Sequence, residues 1–190
     1  IDIATHWQQC KQQLSQHNFS FMPIKYLCKP LHDIIELRPL LGLRSPVHTL
    51  ARLLNPLRAD ATLQSVFHPS YTETHHHGAQ LLAQKNAAVF KGEGGEVEYR
   101  PQADITVKGL SNGESEQYTI PRQNEAPSEA TVNAQVLLDL WQDKNRNAHG
   151  LNAVLGTTAI ALKTMGVEKD IRLARQLAEQ LWNKRSNQLR

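Results

Sequence analysis

LQSVFHPSYTETHHHGAQLLAQKNAAVFKGEGG, from Leu63 to Gly95, is the stretch that decides the fold. Leu63 to Phe67 is a short run rich in apolar and β-favouring residues, closed by His68-Pro69, and reads as a strand. Ser70 stands where a helix N-cap belongs, so residues up to Gln84 read as a helix. Ala87 to Lys91 is a second apolar run, short enough for a buried strand and ending at Gly92. Strand, helix, strand in that order implies a parallel pair joined by a helical crossover. The fold class is therefore α/β.

Downstream lies a polar stretch from Glu93 to Glu129 in which Tyr99, Ile105, Val107 and Tyr118-Thr119-Ile120 mark short antiparallel or edge strands around a Ser111-Asn112-Gly113 turn. The last third reads as helix: Thr131 to Gln142, Ala148 to Met165 with Gly166 as its stop, and Val167 to about Asn187. Upstream, Ile3, Trp7, Cys10 and Leu14 recur at helical spacing, which predicts a helix from Ile3 to His17. Phe19 to Ile24 suits a buried strand ending near proline. Pro30 opens a helix that Gly42 stops, and a second basic helix runs from about Pro46 to Leu54, ended by Asn55-Pro56. With no internal repeat, residues 1–190 read as one α/β lobe, with 131–190 forming helices packed on the sheet.

Composition agrees. A chain of 190 residues, 40% hydrophobic and 21% charged, is long enough for an unstapled core. Cys10 and Cys28 stand in no metal or redox spacing, so two reduced thiols are expected. No window approaches the ~20 apolar residues of a membrane helix and no signal-like segment opens the chain, so a soluble, cytoplasmic protein is expected. The net charge of +3 hides a segregation: residues 22–58 carry +4, residues 92–129 carry −5, and residues 163–190 carry +4. Basic stretches can gather a polyanion if the fold brings them together, although charged runs are usually solvated faces.

Three features invite a site. His75-His76-His77 lies on the predicted helix, where adjacent side chains diverge by about 100°, so the three cannot converge on one ion. A partly exposed surface, able to meet phosphate when protonated, is the expectation, with no metal. Gly92-Glu93-Gly94-Gly95 follows a strand as a phosphate loop should, but lacks a P-loop lysine and the dinucleotide spacing. It reads as a turn, or as a ribose-phosphate contact. Trp7, Trp141 and Trp182 fall on apolar helical positions and read as helix cover rather than base-stacking platforms.

The order of Asn18-Phe19-Ser20-Phe21-Met22-Pro23, Arg38-Pro39-Leu40-Leu41-Gly42-Leu43-Arg44-Ser45, Asn55-Pro56, Gln64 to Phe67, Ala87 to Gly95 and Leu151-Asn152-Ala153 resembles the C-terminal part of the anthranilate phosphoribosyltransferase-like family. The resemblance spans nearly the whole chain and implies the C-terminal portion of the nucleoside phosphorylase/phosphoribosyltransferase catalytic-domain-like fold. That means a central, mostly parallel sheet with some antiparallel edge strands, flanked by helices. It also implies a fragment without most of the N-terminal helical lobe or the Gly-rich strand, whose parent dimerises through that lobe.

The departures from the family's pattern carry the functional expectation. Where the family has an Asp-Glu metal pair, this chain has Val97-Glu98, so the possible ribose-phosphate loop comprises Gly92, Gly94, Gly95 and Glu98. No catalytic residue, metal or cofactor is expected, with magnesium needed only if the chain is an enzyme after all. Arg38 matches an arginine that family enzymes turn toward the anthranilate carboxylate, and a guanidinium serves a phosphate oxygen equally well. Arg38, Gly42, Arg44, His48, Thr49, Leu50, Ala51 and Arg52 are similar to the run of the YbiB-like branch, understood as dimeric nucleic-acid binders. The expectation is a catalytically degenerate member that binds DNA or RNA with low sequence specificity. Lys29, Arg38, Arg44, His48, Arg52 and Arg58 would hold phosphates, with Lys25 as a weaker candidate. The alternative is a transferase acting on phosphoribosyl pyrophosphate and an aromatic acceptor.

Overall fold

His6, extended at φ −156°, ends the incoming chain and accepts from the Gln9 N–H, so the first helix, α1 (Trp7–His17), starts one turn later than the apolar spacing predicts. Asn18 closes it in the left-handed region, at φ 54°. The computed structural model describes residues 2–43, 45–123 and 133–186, in two compact units, Ile1–Leu54 and Asn55–Arg190. The first unit continues with α2 (Ile24–Leu27), α3 (Lys29–Ile35), α4 (Arg38–Leu41), α5 (Val47–Leu50) and a 3-10 turn, Ala51–Leu53.

Two expectations fail there. Phe19 to Ile24 forms no strand: its carbonyl at Phe21 accepts one backbone bond, from Ala4 at 2.8 Å, and Pro23 has no N–H to add to a ladder. Without a paired neighbour, an extended run cannot bury both faces, and Phe21 is 55% exposed. The single helix expected between Pro30 and Gly42 is two, because Pro39 cannot donate to the Ile35 carbonyl one turn back. Gly42 does stop the second piece, at φ 67°.

In the second unit the βαβ expectation holds. β1 (Ala61–Val66), α6 (Tyr71–Leu81) and β2 (Asn86–Lys91) follow in order, and β1 runs parallel to β2 with Leu63 beside Ala88. Ser70 occupies the N-cap of α6 but makes no side-chain cap bond. β3 (Ile105–Ser111) and β4 (Glu114–Ile120) form the expected hairpin, with Asn112 at φ 51° and Gly113 at φ 86°, the two positive values that a tight two-residue turn requires. The sheet order is β1-β2-β3-β4. The α/β class stands, but "mostly parallel" does not describe these strands: one pairing is parallel and two are antiparallel. The reason is local, since only β1 and β2 are joined by a helix, whereas a tight turn forces β4 back along β3.

β2 is buried along Ala87-Ala88-Val89-Phe90 because it lies between two strands and under helices on both faces. Ala87 joins Ala79 and Leu110 on the α6 side. Ala88 and Phe90 join Tyr99, Ile105, Val107, Ile120 and Ile160 on the other. Ile160 comes from α8 (Ala148–Thr164), which follows α7 (Ala134–Trp141) and is covered in turn by α9 (Ile171–Lys184). Tyr99 lies close against Gly156 of α8, with its hydroxyl donating to the Pro121 carbonyl at 2.9 Å. Trp141 and Trp182 meet edge to face at 5.7 Å with the Arg185 guanidinium 3.6 Å from the Trp182 ring. They are helix cover, as their positions imply. Among the described residues, no helix is long and apolar enough to cross a membrane.

Asp170 caps α9, accepting from the backbone N–H of Arg172 at 2.7 Å and of Leu173 at 3.3 Å. Hydrogen bonds from the Arg172 side chain and backbone hold its carboxyl down from 3.8 to about 2. A depressed carboxyl stabilises the fold above its unfolded value and loses that contribution as pH falls through the folded one. Acid-induced loss of helical ellipticity between about pH 4 and about pH 2 should therefore be steeper in the parent chain than in Asp170→Asn, whose amide caps without titrating.

Candidate functional site

β2 delivers the chain to Gly92, whose N–H donates to the Ser65 hydroxyl at 3.0 Å at the end of β1. The next residues turn sharply: Glu93–Gly95 form a 3-10 turn, with Gly94 at φ 56° and Gly95 at φ 86°. Gly92, Gly94 and Gly95, whose spacing reads as a turn or as a ribose-phosphate contact, thus follow the carboxyl end of β2, beside that of the parallel β1, where open α/β sheets place ligands. Glu93 is engaged there by the Arg100 guanidinium at 3.2 Å and the Gln102 amide at 3.0 Å.

Of the acidic pair that the family resemblance implies, the loop keeps Glu98 and has Val97 in place of the other. Magnesium needs hard oxygen donors, and Val97 puts a 42% exposed isopropyl group where one is wanted. Partial burial of the Glu98 carboxyl raises its pKa, His149 pulls it back, and Glu93 and Glu96 push it up again. His149, in the first turn of α8, escaped the sequence reading. Its Nδ1 is buried without a hydrogen-bond partner among the described residues, and only the fold sets it beside Glu98, some fifty positions away in the chain.

The basic candidates differ in their engagements. Lys29 is held by Asp33 at 2.6 Å within α3, and Lys25 lies over its neighbour Tyr26 at 4.7 Å. Arg38 is exposed at the start of α4. His48 turns Nδ1 to the Ser45 hydroxyl and carbonyl at 3.3 and 3.2 Å, and Arg52 is half-buried in the 3-10 turn. Arg44 lies outside the described residues. Arg58 belongs to the second unit and is exposed in a left-handed conformation, φ 50°, which costs a non-glycine residue about 1 kcal/mol or more. Asn55 makes that turn rigid through two 2.8 Å bonds to the backbone of Ala59. Four of the basic groups toward the C-terminus are ion-paired: Lys163 with Glu116, Arg172 with Asp170, Arg175 with Glu179 and Arg185 with Asp143.

The histidine triplet is not the partly exposed surface that its polarity implies. His75 and His76 are buried, because α6 lies across the sheet and its inner face needs partners for polar edges. His75 Nδ1 reaches Gln64 Oε1 of β1 at 3.0 Å, and His76 Nε2 reaches the Gly109 carbonyl of β3 at 3.1 Å. Only His77 faces outward, 3.1 Å from Glu73.

The model of the family described as glycosyl transferase family, a/b domain, matches residues 1–184. Among individual proteins, the chain is 36% identical over 73 residues to the uncharacterized protein YbiB of Escherichia coli (strain K12), covering 37% of this chain and 23% of that one. It is 25% identical over 172 residues to anthranilate phosphoribosyltransferase of Sulfolobus acidocaldarius, covering 90% and 46%. A crystal structure of anthranilate phosphoribosyltransferase from Thermus thermophilus superposes with a TM-score of 0.79 at 20% identity, over 96% of this chain and 56% of that one. The chain thus spans about half the length, or less, of these relatives.

Proposed function

The chain belongs to the glycosyl transferase family, a/b domain, and from that premise we propose that it is a catalytically degenerate, anthranilate phosphoribosyltransferase-like protein that holds the phosphates of DNA or RNA. The observation that carries the reading is Val97 beside Glu98: the loop keeps its glycine turn and has one carboxylate where phosphoribosyl transfer would need a pair to hold a metal on the pyrophosphate. Losing the metal pair removes the transfer chemistry without removing affinity for phosphate. The basic run from Lys25 to Arg58 and its likeness to the YbiB-like branch support a polyanion as the ligand.

Exposed arginines of this kind contact backbone phosphates, which carry no sequence information. Arg38→Ala and Arg58→Ala should each weaken oligonucleotide binding several-fold, by the same factor for unrelated sequences, as read by fluorescence anisotropy. Binding that discriminates sequences, or that neither substitution alters, contradicts the reading.

A second reading, transfer from phosphoribosyl pyrophosphate to an aromatic acceptor, is favoured by the names of the Sulfolobus and Thermus relatives. It requires magnesium-dependent consumption of phosphoribosyl pyrophosphate by the full-length protein. That turnover, lost on Glu98→Gln, would establish the second reading over the first.

A further inference from the structure

Glu73, His76 and His77 of α6 bring one ligand atom each within 4.8 Å of one another. Three consecutive histidines cannot converge, but Glu73 stands three residues before His76 and four before His77, on the helical neighbours' spacing. His75 is excluded by its own bond to Gln64 on β1.

His76 is 7% exposed, and its Nε2 lies 3.1 Å from the Gly109 carbonyl. A carbonyl oxygen only accepts, so the proton sits on Nε2 and Nδ1 keeps its lone pair. That Nδ1 is buried and has no hydrogen-bond partner among the described residues. An imidazole whose N–H is committed to a backbone carbonyl, with the other nitrogen unprotonated, is oriented as metal-bound histidines are. Glu73 is divided between two neighbours: Oε1 lies 3.1 Å from His77 Nε2, and Oε2 meets the Lys108 ammonium of β3. Lys108 thus orients the carboxylate and leaves Oε1 on the histidine side.

We propose that Glu73, His76 and His77 form a binding site for one divalent cation of the zinc class. Two imidazoles and a carboxylate suit zinc rather than magnesium, which prefers oxygen throughout. Three protein ligands leave a fourth position to water. Tetrahedral ligands about 2.0–2.1 Å from zinc lie about 3.3 Å apart, so the present spread must close by about 1.5 Å at most. Glu73 and His77 are exposed enough to make that movement while His76 stays fixed. The cation replaces the contact between His77 and Glu73, and Lys108, which offsets the carboxylate's charge, limits its affinity.

The test is calorimetric titration of the chelator-stripped protein with zinc chloride, with cobalt absorption as a second readout of tetrahedral nitrogen and oxygen ligation. One equivalent should bind with Kd below about 10 μM. Glu73→Gln and His77→Ala, both at exposed positions, should each weaken it by about tenfold or more. Substituting His76 is avoided because its bond to Gly109 ties α6 to β3. Absence of saturable binding, or binding that neither substitution weakens, overturns the proposal.

Discussion

Phe90→Ala lowers the unfolding free energy by about 3–5 kcal/mol. Phe90 is fully buried on the central strand, among Ala88, Tyr99, Ile105, Val107, Ile120 and Ile160. Those neighbours come from β2, β3, β4, α8 and the Tyr99 segment, so no single element can shift to fill the space. Tyr99 in particular is held at both ends, its N–H donating to Thr157 Oγ1 at 2.9 Å and its hydroxyl to Pro121. Against a typical net stability of about 5–15 kcal/mol, the loss is a large share. Urea denaturation followed by tryptophan fluorescence reads it as a fall in midpoint with an unchanged slope. A change under about 1 kcal/mol would mean that the sheet and α8 repack freely.

Gly92→Ala is expected to cost about 3 kcal/mol, for the opposite reason. A Cβ at that position meets the Glu96 carbonyl oxygen at 1.8 Å and the Ser65 hydroxyl at 2.5 Å. The first is backbone, so relief requires moving the turn from Glu93 to Glu96, whose carbonyl-to-amide bond is 2.7 Å long. The consequence for function separates the two readings. If the oligonucleotide is held mainly through Arg38 and Arg58, the folded fraction should retain most of its affinity while melting earlier. A transferase that seats ribose phosphate here should lose its substrate along with its stability.

Much of this was legible in the residues because it is local. The apolar runs at Leu63–Phe67 and Ala87–Lys91 and the Asn112-Gly113 turn announce the βαβ unit and the hairpin by composition alone. Phe19 to Ile24 is apolar like those runs and still makes no strand, since Pro23 cannot donate to a ladder and strand formation depends on a partner that periodicity does not reveal. The histidine triplet misled in a related way. Polarity predicts exposure, but two of the three rings settle their hydrogen bonds on strands β1 and β3, and the grouping of Glu73 with His76 and His77 needs the helix to be seated. His149 and Glu98 are related only by the fold. Of the basic candidates, the Lys29–Asp33 pair is foreshadowed by its i, i+4 spacing, whereas the left-handed turn that holds Arg58 is not.

The proposal that this fold has kept phosphate binding and shed transfer chemistry is tested most directly by the salt dependence of oligonucleotide binding. With about three to five phosphates neutralised by Arg38, Arg44, Arg52, Arg58 and their neighbours, the logarithm of the association constant should fall against that of salt concentration with a slope of about −2 to −4.5. That slope should be alike for unrelated sequences. A flat response, or magnesium-dependent turnover of phosphoribosyl pyrophosphate in place of binding, contradicts it.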